Sequence, residues 1–510
     1  MRSVNGEIEL KLELDPKSVA LTKRLPLLAA APRQQAKQLS IYYDTAKGAL
    51  RKHGYSLRVR DTGGGFVQTV KSTREDAGLF SREEWEFPVD SIEPDLARLR
   101  GLPLEPLARS GKLKKLGPVV RTDVSRTSWR IEEGQSAIQI DLDEGEIEAE
   151  EHIQPICELE LELLSGEAGE LLRIARGIAG QVPVRIGVLS KAERGFALAT
   201  GKLHKVHKAG TVAVEEDMTI AEAFTVIAND CLQHYRLNEP LVIARRDSEA
   251  LHQARVALRR LRSAFALFRP ILRDDDYERL RLELRWFTAQ LGDARNLDVY
   301  LERQLPDEER GSLTGMREQT YDRVIEAMNS QRQRDLMLDL VGWIALGDWR
   351  SGKPARRPIA PYAEKRLERL WATITAPAAD IAAMDEVDRH ALRIQVKKMR
   401  YAVEFLSGVF PDEADKQKRF AADVEDLQEE LGKLNDLVTA RELAMADSSA
   451  QTEEEVEAEH LAEAEHHARD LIALGPFWRR ERIREWGGWL LRAVDRTKAR
   501  SAPRHASRRR

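Results

Sequence analysis

The sequence predicts an α+β N-terminal part, an eight-stranded antiparallel β-barrel, followed by an all-α domain of two repeated helical bundles. Three observations carry that expectation. Apolar and polar residues alternate with period two in many stretches before residue 201, the mark of half-buried strands. Beyond about residue 217 the alternation gives way to long runs with helical spacing. Within those runs one motif occurs twice, at His252 and again 138 residues later at His390.

The predicted strands are roughly 5–14, 38–45, 55–61, 66–72, 82–88, 119–131, 136–143 and 155–163, with helical stretches near 16–30, 93–100 and 167–180. Gly63-Gly64-Gly65 suits a hairpin turn between the third and fourth strands, and Gly134 separates the sixth from the seventh. Eight mostly sequential strands favour an antiparallel barrel, because closure removes exposed edges and creates an interior.

The first strand carries Glu7, Glu9, Lys11 and Glu13 on one face and Ile8, Leu10, Leu12 and Leu14 on the other. The last repeats the pattern as Glu158-Leu159-Glu160-Leu161-Glu162-Leu163. A solvated strand face reads the same way, so one such strand decides nothing. Two acidic faces repel each other unless cations lie between them, and hard divalent cations bind through oxygen ligands. The strands between carry further polar or charged groups on single faces: Arg58 with Arg60, Thr69 with Lys71, Arg82 with Glu84 and Glu86, Arg126 with Arg130, and Asp141 with Asp143. Lys191 and Arg194 follow the last strand and would cap one end of the barrel. Each group alone fits a solvated face; together they point to metal-assisted chemistry on a polyanion. Alternation by itself leaves open whether the charges face inward or outward.

Residues 1–200 are expected to form the barrel domain, 201–216 a connector, and 217–497 the helical domain, with half-repeats at about 217–350 and 362–497. The segment Ser-Gly-Lys-Pro-Ala-Arg-Arg-Pro from Ser351 separates the halves, and 498–510 is a basic tail expected to be disordered. The acidic, His-containing stretch 453–467 reads as a helix with a solvated face.

The repeat reads HQARVALRRLRSA from His252 and HALRIQVKKMRYA from His390, each followed by a Leu-Gly element at Leu291-Gly292 and Leu431-Gly432. Positions i, i+3, i+7 and i+10 share one helix face. One stripe therefore holds His252, Arg255, Arg259 and Arg262, and the other His390, Arg393, Lys397 and Arg400. Val256 and Leu261, with Ile394 and Met399, are expected to face a core. A single basic face is usually just solvated; the same face twice, each opening on His, favours an anion site. Clustered cations repel until an anion arrives, and the guanidinium fork suits phosphate. The cationic neighbours disfavour metal binding by the histidines. The lack of interleaved aromatics disfavours single-stranded nucleic acid.

The chain has 510 residues, a net charge of −4, 33% charged and 42% hydrophobic residues, and two cysteines, Cys157 and Cys231. Two or three domains are the expectation for that length. Two distant cysteines give no disulfide framework, so a reducing compartment fits. No apolar run is long enough to span a membrane, and the N-terminus lacks the apolar core of a signal peptide. A cytoplasmic protein is the default.

These residues carry a resemblance. The first part of the chain resembles a CYTH domain of the triphosphate tunnel metalloenzyme superfamily. Glu7, Glu9 and Lys11 meet its ExExK signature. The Arg58–Arg60 pair, Lys71, Arg126, Asp143 near a glycine, the Glu158–Glu160–Glu162 strand and the SKxxRG element from Ser190 to Gly195 match its later landmarks. The helical remainder resembles a CHAD domain, its half-repeats beginning at His252 and His390.

The resemblance implies a tunnel of eight antiparallel strands that hydrolyses inorganic triphosphate to pyrophosphate and phosphate with Mg²⁺ or Mn²⁺. It implies Glu7, Glu9, Lys11 and Lys71 as catalytic residues, and Glu7, Glu9, Asp143, Glu158 and Glu160 as metal ligands. Lys11, Arg58, Arg60, Lys71, Arg126, Lys191 and Arg194 would hold the phosphate chain. For the two His/Arg/Lys stripes it implies binding of long-chain polyphosphate, and with it association with polyphosphate granules. Alternatives stand beside this reading: a polyphosphate-binding scaffold with an inactive tunnel, or a nucleotide or thiamine triphosphatase or adenylyl cyclase.

Overall fold

The structure is a computed structural model that describes residues 2–4, 8–72, 84–302, 306–443 and 450–479. Glu7, Arg82 and the basic tail lie outside the described residues.

The N-terminal part is one antiparallel sheet of ten strands among the described residues. They are β1 (Arg2–Val4), β2 (Glu9–Leu14), β3 (Arg33–Thr45), β4 (Tyr55–Asp61), β5 (Phe66–Ser72), β6 (Glu84–Val89), β7 (Leu116–Glu133), β8 (Ser136–Ala149), β9 (His152–Ser165) and β10 (Val184–Ile186). The order across the sheet is β1-β6-β5-β4-β3-β7-β8-β9-β2-β10. The eight strands of six residues or more are the eight that alternation predicts. Three-residue strands β1 and β10 extend the two ends.

The sheet is tunnel-like, but among the described residues β1 and β10 do not pair with each other, so the expected closure is incomplete. The chain leaves β10 almost at once. Gly187 donates one more amide bond to the Lys11 carbonyl, at 2.9 Å, before the backbone turns away into the next helix. A strand that short offers too few ladder positions to recruit a further partner.

The alternation in β2 does what the pattern demands: Leu10, Leu12 and Leu14 are buried on one face while the charged residues occupy the other. Two apolar clusters lie against the sheet. One gathers Leu57, Val59 and Val70 with Leu99, Leu104 and Leu113. The other joins Val120, Val124, Ile147 and Ile156 to Phe196.

Four short helices decorate the sheet: α1 (Val19–Thr22), α2 (Pro26–Ala29), α3 (Ala49–Lys52) and α4 (Glu105–Arg109). Then come α5 (Ala168–Ala179) and α6 (Lys191–Ala199). The helical region follows as α7 (Ile220–Arg245), α8 (Ser248–Leu272), α9 (Asp275–Gln290), α10 (Gly292–Leu301), α11 (Asp307–Asn329), α12 (Gln331–Leu346), α13 (Ile359–Thr375), α14 (Glu386–Leu406), α15 (Ala414–Leu443) and α16 (Ala450–Leu474). None of the described helices is long and apolar enough to cross a membrane.

Two compact units result, one of residues 1–362 with 404–409, the other of 363–403 with 410–510. In the first, Phe224, Phe265, Phe268, Trp343 and Trp349 form an aromatic core. In the second, Trp371, Phe420, Phe477 and Trp478 do so.

Helix α8 buries Leu251, Ala254, Leu258 and Leu261, and α14 buries Leu392, Val396 and Met399. Leu261 and Met399 thus face a core as expected, whereas Val256 is only half-buried and Ile394 is 39% exposed. Both follow their histidine by four residues, which puts them beside the stripe rather than behind it.

Candidate active site

Antiparallel register sets the inner face of the sheet. Arg126 on β7 stands opposite Asp143 on β8. Asp141 and Asp143 stand opposite Glu160 and Glu158 on β9. Glu158, Glu160 and Glu162 face Glu13, Lys11 and Glu9 on β2. On the other flank Arg58 on β4 faces Tyr42 on β3 and Thr69 on β5, while Lys71 faces Glu84 on β6. The charged rows that alternation left ambiguous therefore lie on one face and converge.

They converge on a cavity of about 260 Å³. Of the residues expected to bind metal or phosphate, Glu9, Lys11, Arg58, Arg60, Lys71, Arg126, Glu160 and Lys191 line it, and Thr69, Glu84, Glu86, Asp141 and Glu162 from the charged strand faces join them. Asp143, Glu158 and Arg194 stand behind that wall and reach it through ion pairs. Lys191 Nζ lies 2.6 Å from Asp143, 2.5 Å from Glu158 and 2.9 Å from Glu160, and Arg194 pairs with Glu158. Arg130 is 64% exposed at its side chain and pairs with Glu132, outside the site.

The Ser190–Gly195 element has a clear local cause. Ser190 caps α6: it accepts from the Glu193 amide, and the Glu193 carboxylate accepts from the Ser190 amide at 2.7 Å. That capping box places Lys191 on the first turn, with Arg194 three residues on and the same face. Gly195 lets the helix close on the sheet, since a Cβ there would come within 2.3 Å of Val120.

Arg126 is the hub of the wall. It grips Asp143 with two bonds of 2.7 and 2.6 Å and also donates to Asp141 at 2.6 Å and Glu160 at 2.5 Å. Burial alone would raise the Glu160 and Asp143 carboxyls. For Glu160 the charges of Lys191, Lys11 and Arg126 outweigh burial and hold it well below the usual range. For Asp143, Lys191 and Arg126 likewise pull it down. Arg60 is pushed down to about 10 by burial and by Arg58 and Arg126, the signature of cations crowded without enough anion.

Sequence reading passed over Tyr42, which is buried on the cavity wall. Burial pushes its phenol up, but Arg58, Arg60 and Lys191 outweigh that and lower it. Thr69 accepts from Arg58 at 3.1 Å and donates to Glu86 at 3.0 Å, linking basic and acidic groups. Lys71 pairs with the buried Glu84 at 2.5 Å.

The residues suit a divalent cation. Carboxylate oxygens of Asp143, Glu158 and Glu160 lie within 4.8 Å of one another, a hard-oxygen donor set that the Lys191 ammonium holds together here. Glu9 Oε1 is buried, with the Lys11 ammonium 2.9 Å away as its ion-pair partner. Across from it, burial and then the charges of Glu9 and Asp141 push the Glu162 carboxyl up. An acidic row that sets Glu9 against Glu162 and holds a destabilised carboxylate fits a cation better than it fits solvent.

The helical stripes stand in separate units. In the first, Arg255 donates to the Leu291 carbonyl at 2.6 Å, against the Leu-Gly element. His252 is lowered by burial and then by Arg295, and Arg262 by burial and then by Arg285 and Arg281, so α9 and α10 add cations to the α8 stripe. Arg260, next to it in sequence, is wholly buried between Asp230 and Glu404, at 2.7 and 2.6 Å, and serves as an internal strut. In the second unit His390 Nδ1 meets Asn435 at 2.6 Å, Arg393 lies against Gly432, and Arg400 pairs with Glu425 at 3.3 Å.

Residues 5–196 match the CYTH domain family and residues 226–445 the CHAD domain family. The chain is 34% identical over 198 residues to an inorganic triphosphatase of Haemophilus influenzae, a stretch that is 38% of this chain and 55% of that protein. The chain thus spans about half the length of the curated relative it matches. Among solved structures it is similar to the CHAD domain from the plant Ricinus communis, at 29% identity over 55% of this chain and 98% of that one, with a TM-score of 0.43. It is also similar to a Hippeastrum protein with a dominant triphosphatase activity, at 23% identity over 39% and 97% of the two chains, with a TM-score of 0.29.

Proposed function

We propose that this chain, a CYTH domain joined to a CHAD domain, hydrolyses inorganic triphosphate to pyrophosphate and phosphate in the cavity of its sheet. One observation carries the reading. The described wall brings six cations, Lys11, Arg58, Arg60, Lys71, Arg126 and Lys191, from five different elements onto one side-by-side surface with the acidic row of Glu9, Glu160 and Glu162. Such a surface binds a short polyanion along its length and neutralises charge as a phosphoanhydride breaks.

Glu9, Glu158, Glu160 and Asp143, with Glu7 two residues before Glu9 in sequence, would hold Mg²⁺ or Mn²⁺. The ion, when bound, supplies charge neutralisation and a more acidic water. The chain's own groups do the rest. Arg58 and Arg60 orient the phosphate chain from β4, and Lys11 and Lys71 from β2 and β5. Lys191 and Arg126 exchange carboxylate partners for phosphate oxygens. Catalysis here is positioning plus electrostatics. Tyr42 is the one aromatic ring among the described wall residues, which favours an inorganic substrate over nucleoside or thiamine triphosphates.

The two basic stripes are assigned to long-chain polyphosphate, which would bring the protein to polyphosphate granules in the cytoplasm. Phosphate release from tripolyphosphate, ATP, thiamine triphosphate and long polyphosphate, each with Mg²⁺, Mn²⁺ or EDTA, tests the whole reading. Metal-dependent release favouring tripolyphosphate is expected. No release from any substrate, with long polyphosphate still bound, would make the protein a binding scaffold.

A further inference from the structure

We propose that Arg236, on α7 of the helical region, is a positioning residue for the cavity, bracing from outside the sheet both β2 and the segment that leads to Lys191; the inference rests on the triphosphate reading. Arg236 is 4% exposed. Its Nη2 donates to Glu13 Oε2 at 3.0 Å and its Nε to the Ile186 carbonyl at 2.8 Å. Glu13 ends the row on β2 that holds Glu9 and Lys11. Ile186 precedes Gly187, which lines the cavity and whose amide bonds the Lys11 carbonyl at 2.9 Å. One side chain therefore pins two backbone segments that meet at Lys11 and continue to Lys191.

The rest of the guanidinium faces Glu239, one turn along α7 and wholly buried. Glu239 accepts from the Tyr235 hydroxyl at 2.9 Å and lies 3.6 Å from Arg185 of β10. Charges alternate through this network, Glu13–Arg236–Glu239–Arg185, from sheet to helix and back to sheet. Apolar side chains could close the same boundary without desolvating ions. What the planar fork adds is direction: its donors, held at fixed angles, serve a carboxylate and a carbonyl at once, which a lysine ammonium does not reproduce. Groups that act by position tolerate little displacement, and a shift of about 1 Å costs on the order of 100-fold in rate. The CHAD domain thereby contributes to the geometry of the CYTH cavity as well as carrying its own basic stripe.

The test uses the full chain with Arg236→Met combined with Glu239→Gln, which removes both buried charges together and keeps the fold from carrying an orphan. Glu13→Gln and Arg236→Lys accompany it. Turnover of tripolyphosphate, circular dichroism, polyphosphate binding and amide exchange over residues 184–192 are read for each. In the folded double variant kcat is expected to fall about 10- to 100-fold with KM within about threefold. Arg236→Lys should restore it only in part, polyphosphate binding should not change, and exchange over 184–192 should quicken. A folded double variant with parental kcat, or a loss that equals the unfolded fraction, overturns the proposal. If the parent releases no phosphate, the triphosphate reading fails by itself; exchange then decides the brace, faster upholding it and unchanged refuting it.

Discussion

Glu9 on β2 stands directly opposite Glu162 on β9, like charge against like charge across an antiparallel pair. Such pairs destabilise a sheet, and burial together with Glu9 and Asp141 pushes the Glu162 carboxyl up. Glu162→Gln is therefore expected to raise the thermal midpoint in EDTA. Added Mg²⁺ should stabilise the parent more than the variant and erase the difference. Thermal unfolding of both proteins, with and without the ion, checks this; a variant less stable in EDTA would show that the acidic row is already balanced.

Arg126 holds Asp141, Asp143 and Glu160 together. Removing one partner of a buried ion cluster leaves charge uncompensated, at a cost of about 3–5 kcal/mol. Arg126→Ala is expected to lose that much stability in urea unfolding, to recover part of it with Mg²⁺, and to lose turnover even where it remains folded.

His234 gives the acid sensitivity its sign. The residue is 5% exposed and its Nε2 bonds the His207 carbonyl at 3.0 Å. Burial, then Arg260, lowers its pKa. The unfolded chain takes up this proton from about pH 6.5 downward while the folded chain resists it. Stability is therefore full above that value and drains as pH falls toward the lowered folded value. His234→Gln should flatten the loss of stability between pH 7 and 5, measured by denaturant unfolding.

For the stripes, polyphosphate binding should weaken linearly on a log–log plot against salt. Each phosphate-contacting cation removed from Arg259, Arg262 or Arg400 should shallow the slope by about 0.7–0.9, by analogy with nucleic-acid backbones. Tripolyphosphate turnover in these variants should stay at the parental level. A salt-independent affinity would contradict the assignment.

Much of the sheet was legible because period-two alternation is a local property of each strand. The ends were not: β1 and β10 have three residues each, too few for a pattern to register. Lys191 was legible through the SKxxRG element from Ser190 to Gly195, which follows the last strand. Tyr42 was hidden because Tyr43 follows it, so β3 shows an aromatic residue to both faces. The Arg236–Glu13 bond joins residues 223 apart, and no local pattern announces such a contact. The same limit explains Arg260, which reads as one more basic residue beside a stripe yet is wholly buried.

The most direct measurement sets three full-length proteins side by side in a phosphate-release assay with tripolyphosphate and Mg²⁺ or Mn²⁺: the parent, Arg58→Ala with Arg60→Ala in the cavity, and Arg259→Ala with Arg262→Ala on the α8 stripe. EDTA serves as the blank. The expected result is EDTA-sensitive release by the parent and the stripe variant, with the cavity variant reduced at least about 100-fold in kcat/KM, as for loss of transition-state charge stabilisation. An inert parent, or equal release by the parent and a folded cavity variant, would contradict the assignment of triphosphate hydrolysis to this cavity.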